Sequence, residues 1–283
     1  MEKQYKKTKI KSTAAWTAAV ILAAGMLIVS VLPFFFMVLN SFKNKFELLT
    51  NGVFSFPQKM NFGNYANVLS GGFVRYFLNS VVLLLVVLFL ILMISAFAAY
   101  PLARFKFRLN GFIYGLIVAC MAIPIHITLI PVFQMTKALG IYDSIGALIG
   151  PDVAFALPIS VFILTSFMKG IPKEIEESAE IDGCNRYAMF FKIMLPLTKP
   201  GLSTLAIYNG VNVWNEFSFA YTLTQSPHNR TLPLAVWDFQ GQYAMNTPMI
   251  MAVLTMTVLP MIILFLFAQD KLIKGMTAGA VKG

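Results

Sequence analysis

The sequence predicts an all-α integral membrane protein of about six transmembrane helices, and three observations carry that prediction. Of the 283 residues 58% are hydrophobic and only 12% charged, which is more apolar surface than a soluble core of this length buries. Apolar stretches of about 20 residues, the length that crosses a bilayer core of about 30 Å, recur six times. The charged residues fall between those stretches, because an ionised side chain is costly in hydrocarbon.

Taken in order, the chain opens on a basic segment, 1–14, carrying Lys3, Lys6, Lys7, Lys9 and Lys11. The first span follows within 15–42. It is too long for the apolar stretch of a signal peptide, so it reads as a retained helix. A loop of about 30 residues, within 43–75, contains Phe54-Ser55-Phe56-Pro57 and Asn61 to Tyr65 and predicts irregular or short helical structure. The core, 76–270, holds five further spans near Tyr76 to Leu102, Gly111 to Met135, Ile145 to Phe167, Leu197 to Leu223 and Thr247 to Phe267. A tail, 271–283, closes the chain.

Orientation follows from the lysines and arginines, which concentrate on the cytoplasmic side of membrane proteins. The N-terminal segment, Arg104 to Arg108, Lys169 to Lys199 and the tail together hold 16 of the 22, all on one side of six spans. Both termini are therefore expected in the cytoplasm. The formal charge of +10 is explained by this asymmetry, with no basic soluble domain for nucleic acid. The two cysteines, Cys120 and Cys184, form neither a disulfide framework nor a metal knuckle. There is no G-x-x-x-x-G-K-[ST], H-E-x-x-H or G-x-S-x-G, so neither ATP hydrolysis nor another enzymatic reaction is expected of this chain.

Between the fourth and fifth spans lies a charged segment, 171–196. Pro172 suits a first helical turn, acids follow at its positive end, and Gly183 stops the run. Tyr187, Phe190, Phe191 and Met194 then form one apolar stripe at helical spacing until Pro196 breaks it. Two short surface helices joined at a glycine are expected. Glu177-Ser178-Ala179, three residues, Gly183, nine residues and Ile193-Met194-Leu195-Pro196 together resemble the signature of permease subunits of binding-protein-dependent ABC importers.

That resemblance implies the type I ABC importer permease fold, with 171–196 as coupling helices docking on an ATPase. Glu177, Ser178, Ala179, Gly183, Ile193, Leu195 and Pro196 are the implied coupling residues. Phe77-Leu78-Asn79-Ser80, Ala98-Ala99-Tyr100-Pro101-Leu102-Ala103-Arg104-Phe105, Trp214-Asn215-Glu216-Phe217 and the end from Gly275 to Gly283 are similar to the maltose-type carbohydrate importers. Tyr100-Pro101 departs from that group in carrying a proline. The implied partners are a second homologous permease, two ATPase subunits that use ATP and Mg, and an extracytoplasmic sugar-binding protein. The implied setting is a bacterial or archaeal cytoplasmic membrane and its lipid. The tail residues Thr277, Ala278, Gly279 and Lys282 are expected to contact the ATPases.

Polar residues inside spans mark either a translocation pathway or hydrogen bonds between helices. Asn212, Asn215 and Glu216, at i, i+3 and i+4, share a face of the fifth span with Asn209, where Trp214 or Tyr208 could stack on a sugar ring. Packing is the plainer reading of that face. Asn79 divides between the same two roles. His126, between Pro124 and Pro131, reads as a packing residue before a lining one, with no second metal ligand nearby. The rival function is a secondary transporter or channel without an ATPase; the related halves and paired acids common in such proteins are not visible.

Overall fold

A computed structural model describes residues 2–242 and 246–280, with side chains for 16–239 and 246–267. In chain order the helices are α1 (Glu2–Ser41), α2 (Lys45–Asn51), α3 (Gly63–Val68), α4 (Val74–Arg104), α5 (Asn110–Ala119), α6 (Ile125–Ala138) and α7 (Gly146–Lys169). They continue as α8 (Glu174–Ile181), α9 (Arg186–Ala188), α10 (Leu195–Leu197), α11 (Lys199–Trp214), α12 (Ser218–Leu223), α13 (Leu232–Gln242) and α14 (Thr247–Ala280).

Four stretches of the described residues are long and apolar enough to cross a membrane: Trp16–Ser41, Gly63–Arg104, Gly146–Lys169 and Thr247–Phe267. Asn110–Ala122 and Ile125–Ala138 make a fifth only as a pair bent by 98°. The bend sits at Ile123-Pro124, both extended, because proline disfavours helical geometry in the residue before it. Pro131, by contrast, lies within α6 without ending it.

The expected fifth span, Leu197 to Leu223, is corrected. It is two helices, α11 and α12, separated at Asn215–Phe217. Glu216 accounts for the break, since its carboxylate accepts from Phe219 N at 2.7 Å and Ala220 N at 2.9 Å and so starts a new helix. The expectation that Pro196 ends the helical run is also corrected. It lies in the first turn of α10, where no amide donor is required, after a π-helical turn at Met189–Met194.

The chain forms two compact units, one made of residues up to Gly71 with Phe239–Val258, the other of Gly72–Asp238 with the chain from Leu259. In the first, the loop after α1 folds around polar groups. Lys43 is fully buried, and its Nζ donates to Gly52 O at 3.0 Å and Ser55 Oγ at 3.1 Å. Burial pushes its pKa down, and Glu47 opposes the shift. Asn64 donates to the carbonyls of Ser41 and Lys43, while Phe42 packs on Phe62 and Tyr65.

In the second unit α4 packs along α7, and α11 packs against both. Lipid tails are as apolar as leucine, so close approach of small residues replaces the hydrophobic drive of a soluble core. Ala96 and Ala99 are fully buried, and a side chain on Gly201 would come within 3.1 Å of the Phe167 ring. Gly201→Val is therefore expected to lower the membrane-inserted amount at least severalfold by quantitative immunoblot. An unchanged level would mean that the Phe167 ring can move aside.

Two apolar clusters fill this unit. One gathers Leu83, Val87, Leu148, Phe219 and Leu223; the other gathers Ala99, Tyr100, Met168, Ala179, Phe190 and Met194.

Beside the first cluster, the segment after α12 is tied down. Asp143 accepts from Gln225 N at 2.8 Å, Ser226 N at 2.9 Å and the Ser226 hydroxyl, while Asn229 donates to its carbonyl. These donors, the Ser226 hydroxyl foremost, hold the Asp143 carboxyl down at about 2. A depressed carboxyl contributes stability that is present above its unfolded value of 3.8 and lost as pH falls toward about 2. The tie is thus expected to be insensitive to pH from about 5 upward. Asp143→Ala should speed amide exchange at Gln225 and Ser226 about tenfold or more at about pH 6, the loss of roughly one charge-assisted hydrogen bond each; unchanged exchange would refute the tie.

Candidate functional site: a polar cavity and an exposed helical turn

Two regions of the second unit bring polar side chains together. The first is a cavity of about 380 Å³ whose walls come from α7, the end of α11, the break and the start of α12. Asn209, Asn212, Asn215 and Glu216 all line it, together with Tyr208. Asn209 is buried and donates to Ser160 Oγ at 2.9 Å, so one edge of its amide links α11 to α7. Asn212 and Asn215 donate back to Tyr208 O and Val211 O at 3.1 and 2.8 Å. Phe155, Phe217 and Phe219 supply aromatic surface.

Asp152 also lines this cavity, and reading the residues one span at a time missed it. It is 6% exposed, and its Oδ2 has no hydrogen-bond partner among the described residues. A lone acid in an otherwise apolar span was the available signal.

Three of the sequence candidates lie elsewhere. Trp214 is buried edge-on against Phe77, with ring centroids 5.9 Å apart, and is not in the cavity wall, so of the two rings named for stacking only Tyr208 is there. Asn79 is buried and donates to His228 O at 2.9 Å and Arg230 O at 2.8 Å, beside Ser80, which accepts from Leu232 N. His126 is exposed in the first turn of α6, outside the cavity wall.

The second region is the turn between α8 and α9. Gly183 has φ +81°, a left-handed conformation that favours glycine, and Cys184 N closes the helix end on Ala179 O at 2.9 Å. Asn185 then starts α9 by accepting from Ala188 N. Glu177, Ser178, Gly183 and Pro196 are exposed. Ala179 faces the apolar cluster of Tyr100 and Met168, against which Ile193 and Leu195 also pack. Ile181 and Tyr187 are 86% and 81% exposed, so two large apolar side chains flank the turn with little of the described chain over them.

What anchors the turn is a contact absent from the sequence motif. Arg104, at the end of α4, forms a buried ion pair with Glu176 at 2.5 Å and donates to Ile171 O at 2.8 Å. The Tyr100 hydroxyl donates to the same glutamate, and the Arg186 guanidinium stacks 5.1 Å over Phe105. Of the tail candidates, Thr277, Ala278 and Gly279 belong to the last turns of α14, and Lys282 lies outside the described residues.

Comparison with known proteins identifies the family. The family model for the binding-protein-dependent transport system inner membrane component matches residues 91–278. A protein of Caldicellulosiruptor sp. (strain Rt8B.4) named as a putative ABC transporter permease is 52% identical over 97% of this chain and 99% of its own. The arabinooligosaccharides transport permease of Halalkalibacterium halodurans is 35% identical, covering 90% of this chain and 92% of its own. The sulfoquinovosyl glycerol transport permease of Agrobacterium fabrum is 36% identical over 93% of each.

Among solved structures, a bacterial alginate ABC importer superposes with a TM-score of 0.76 at 21% identity, covering 89% of this chain and 94% of the other. That likeness shows the fold, which is the type I importer permease fold. The family match and the named relatives set aside the reading as a channel or secondary transporter. The chain belongs to the binding-protein-dependent transport system inner membrane component family, as the multi-pass permease component of an ABC importer.

Proposed function

We propose that this permease forms half of the translocation pathway of an ATP-driven carbohydrate importer in a bacterial or archaeal cytoplasmic membrane, with both termini in the cytoplasm. A second homologous permease supplies the other half, an extracytoplasmic binding protein delivers the sugar, and two ATPase subunits bind ATP and Mg and supply the work. The observation that carries this reading is the exposed turn at Gly183. It presents Glu177, Ser178, Ile181 and Tyr187 outward, while the Arg104–Glu176 pair ties the same helix to α4.

Such a joint transmits displacement. A helix held by a buried ion pair and a packed apolar cluster moves with its neighbour, so closure of the ATPases pulls on α4 and α7 and opens or closes the cavity by alternating access. Thr277, Ala278, Gly279 and Lys282 add a second contact to the ATPases from the end of the chain. Carbohydrate as cargo is supported by the names of the relatives and by a cavity of amides, carboxylates and aromatic rings, the groups that bind hydroxyls and sugar faces.

Reconstitution of the full assembly in proteoliposomes, with the binding protein outside and ATP inside, tests the reading. Saccharide accumulation that requires both ATP and the binding protein is the expected result. Downhill flux without ATP, or no uptake of any saccharide in a panel, would overturn it.

A further inference from the structure

The loop after α1 folds back on the span it follows. The apolar run of α1 is unbroken from Val31 to Leu39, so Phe35 and Phe36 lie inside it. The loop returns to their level. Phe54 packs on Phe36 with ring centroids 5.7 Å apart, and Phe56 packs edge-on against Phe35 at 6.2 Å. The span ends at Ser41, which puts those contacts about 7–9 Å back along the helix axis. Chain that re-enters apolar surroundings must have its backbone polar groups satisfied from within, because hydrocarbon offers no partner. Here Asn40 donates to Val53 O at 3.0 Å, and the buried Lys43 donates to Gly52 O at 3.0 Å and Ser55 Oγ at 3.1 Å. Gln58 N donates to the Glu47 carboxylate.

Outward, the same segment is apolar with a basic rim. Phe46, Leu49, Phe54 and Phe56 are 72–76% exposed. Between residues 42 and 62 the exposed charges are Lys45 and Lys59, since Lys43 and the one acid, Glu47, are buried. We propose that residues 45–60 form a wedge seated in the lipid bilayer at the end of α1, with Phe46, Leu49, Phe54 and Phe56 among the acyl chains and Lys45 and Lys59 on anionic headgroups. At the headgroup–acyl boundary the four apolar side chains leave water and the two ammonium groups stay in a polar layer. A rim whose only charge is positive fits the phosphates and the negative surface potential of anionic lipid. Held by Asn40 and Lys43, the wedge moves with α1 and so fixes how deep that helix sits.

The inference is independent of the cargo. The test uses the complete permease–ATPase assembly in nanodiscs of equal phosphatidylglycerol and phosphatidylcholine, with the binding protein added. Phe54 and Phe56 are replaced, one at a time, by the photoreactive p-benzoylphenylalanine, which keeps an aromatic ring, and adducts are identified by mass after irradiation. Asn67, exposed on α3 outside the wedge, carries the same probe as the control. Phospholipid adducts are expected as the main product at both phenylalanine positions, at least about tenfold above those at Asn67. Phosphatidylglycerol should exceed phosphatidylcholine among them at least about twofold, and Lys45→Glu with Lys59→Glu should remove that excess.

The proposal is overturned if the main adduct at Phe54 and Phe56 is the second permease or the binding protein, which would make the patch a protein interface. Lipid adducts no more frequent than at Asn67 overturn it too, by placing the segment in water. Equal yields of the two lipids, or an excess that survives the double lysine substitution, overturn the role of Lys45 and Lys59. Should the photoreactive variants fail to assemble, Phe54→Cys and Asn67→Cys decide instead. In nanodiscs, a charged maleimide should label Phe54→Cys about tenfold more slowly than Asn67→Cys, with sites assigned by peptide mass. Equal rates would overturn the proposal.

Discussion

Gly183→Val is expected to reduce ATP-dependent uptake by at least about 100-fold while the protein still reaches the membrane. The φ of +81° at Gly183 places any β-branched residue in a conformation that costs of order 1–2 kcal/mol for an L-residue, and more where the side chain is branched. No described atom beyond the adjoining residues lies within 4 Å of the position that a side-chain carbon would take there, so the penalty is conformational and not a packing clash. The chain can relieve it only by re-angling α9 against α8, which displaces Glu177 and Tyr187 from the geometry that an ATPase surface would meet. Because the turn is exposed, the spans should still insert. Glu177→Ala, at an exposed position on the same helix, should give the same separation of uptake from membrane level, by loss of an anchor. Normal uptake in both variants, by vesicle transport assay, would refute the coupling role.

The second large effect is expected at Arg104. Removing one partner of a buried ion pair leaves an uncompensated charge and costs roughly 3–5 kcal/mol. Arg104→Ala leaves the Glu176 carboxylate, 15% exposed, without its cation and also removes the hydrogen bond to Ile171 O. Arg104→Ala should therefore shift thermal unfolding of the solubilised assembly downward by several degrees or more, and should leave ATP hydrolysis poorly linked to uptake. Glu176→Gln alone should cost less, because an amide oxygen can still accept from Arg104 and the bond to Ile171 O is kept. Combining Arg104→Met with Glu176→Leu should recover much of the stability, since a well-packed apolar pair of similar volume can replace a buried ion pair. A double-mutant cycle read by unfolding temperature and by uptake tests both statements. Additive effects would show that the pair does not link α4 to α8.

The broken fifth span shows where local pattern stops being informative. Asn209, Asn212, Asn215 and Glu216 fit one face of a continuous helix by spacing alone, yet the Glu216 carboxylate binds Phe219 N and Ala220 N and starts α12 instead. Side-chain capping competes with helix propagation, and residue spacing does not say which wins. Asp152 was missed for a related reason, since its importance comes from facing α11 across a cavity and its own span reads as ordinary apolar helix. Asn79 shows the converse. A polar residue in a span reads as a pathway candidate, but its amide is occupied by the carbonyls of His228 and Arg230.

By itself the sequence determined the membrane class, the positions of the long spans, and the motif at Glu177 to Pro196, because hydropathy, glycine at a left-handed turn and residue spacing are properties of neighbouring residues. Only the tertiary structure decided which of those residues face outward. Ala179, Ile193 and Leu195 turn to the chain's own apolar cluster, whereas Ile181 and Tyr187, outside the motif, stand exposed beside Glu177. The pairing of Arg104 with Glu176 and the meeting of Asp152 with the asparagines of α11 belong to the same class. They join residues tens of positions apart, and such contacts are set by helix packing, on which local periodicity is silent.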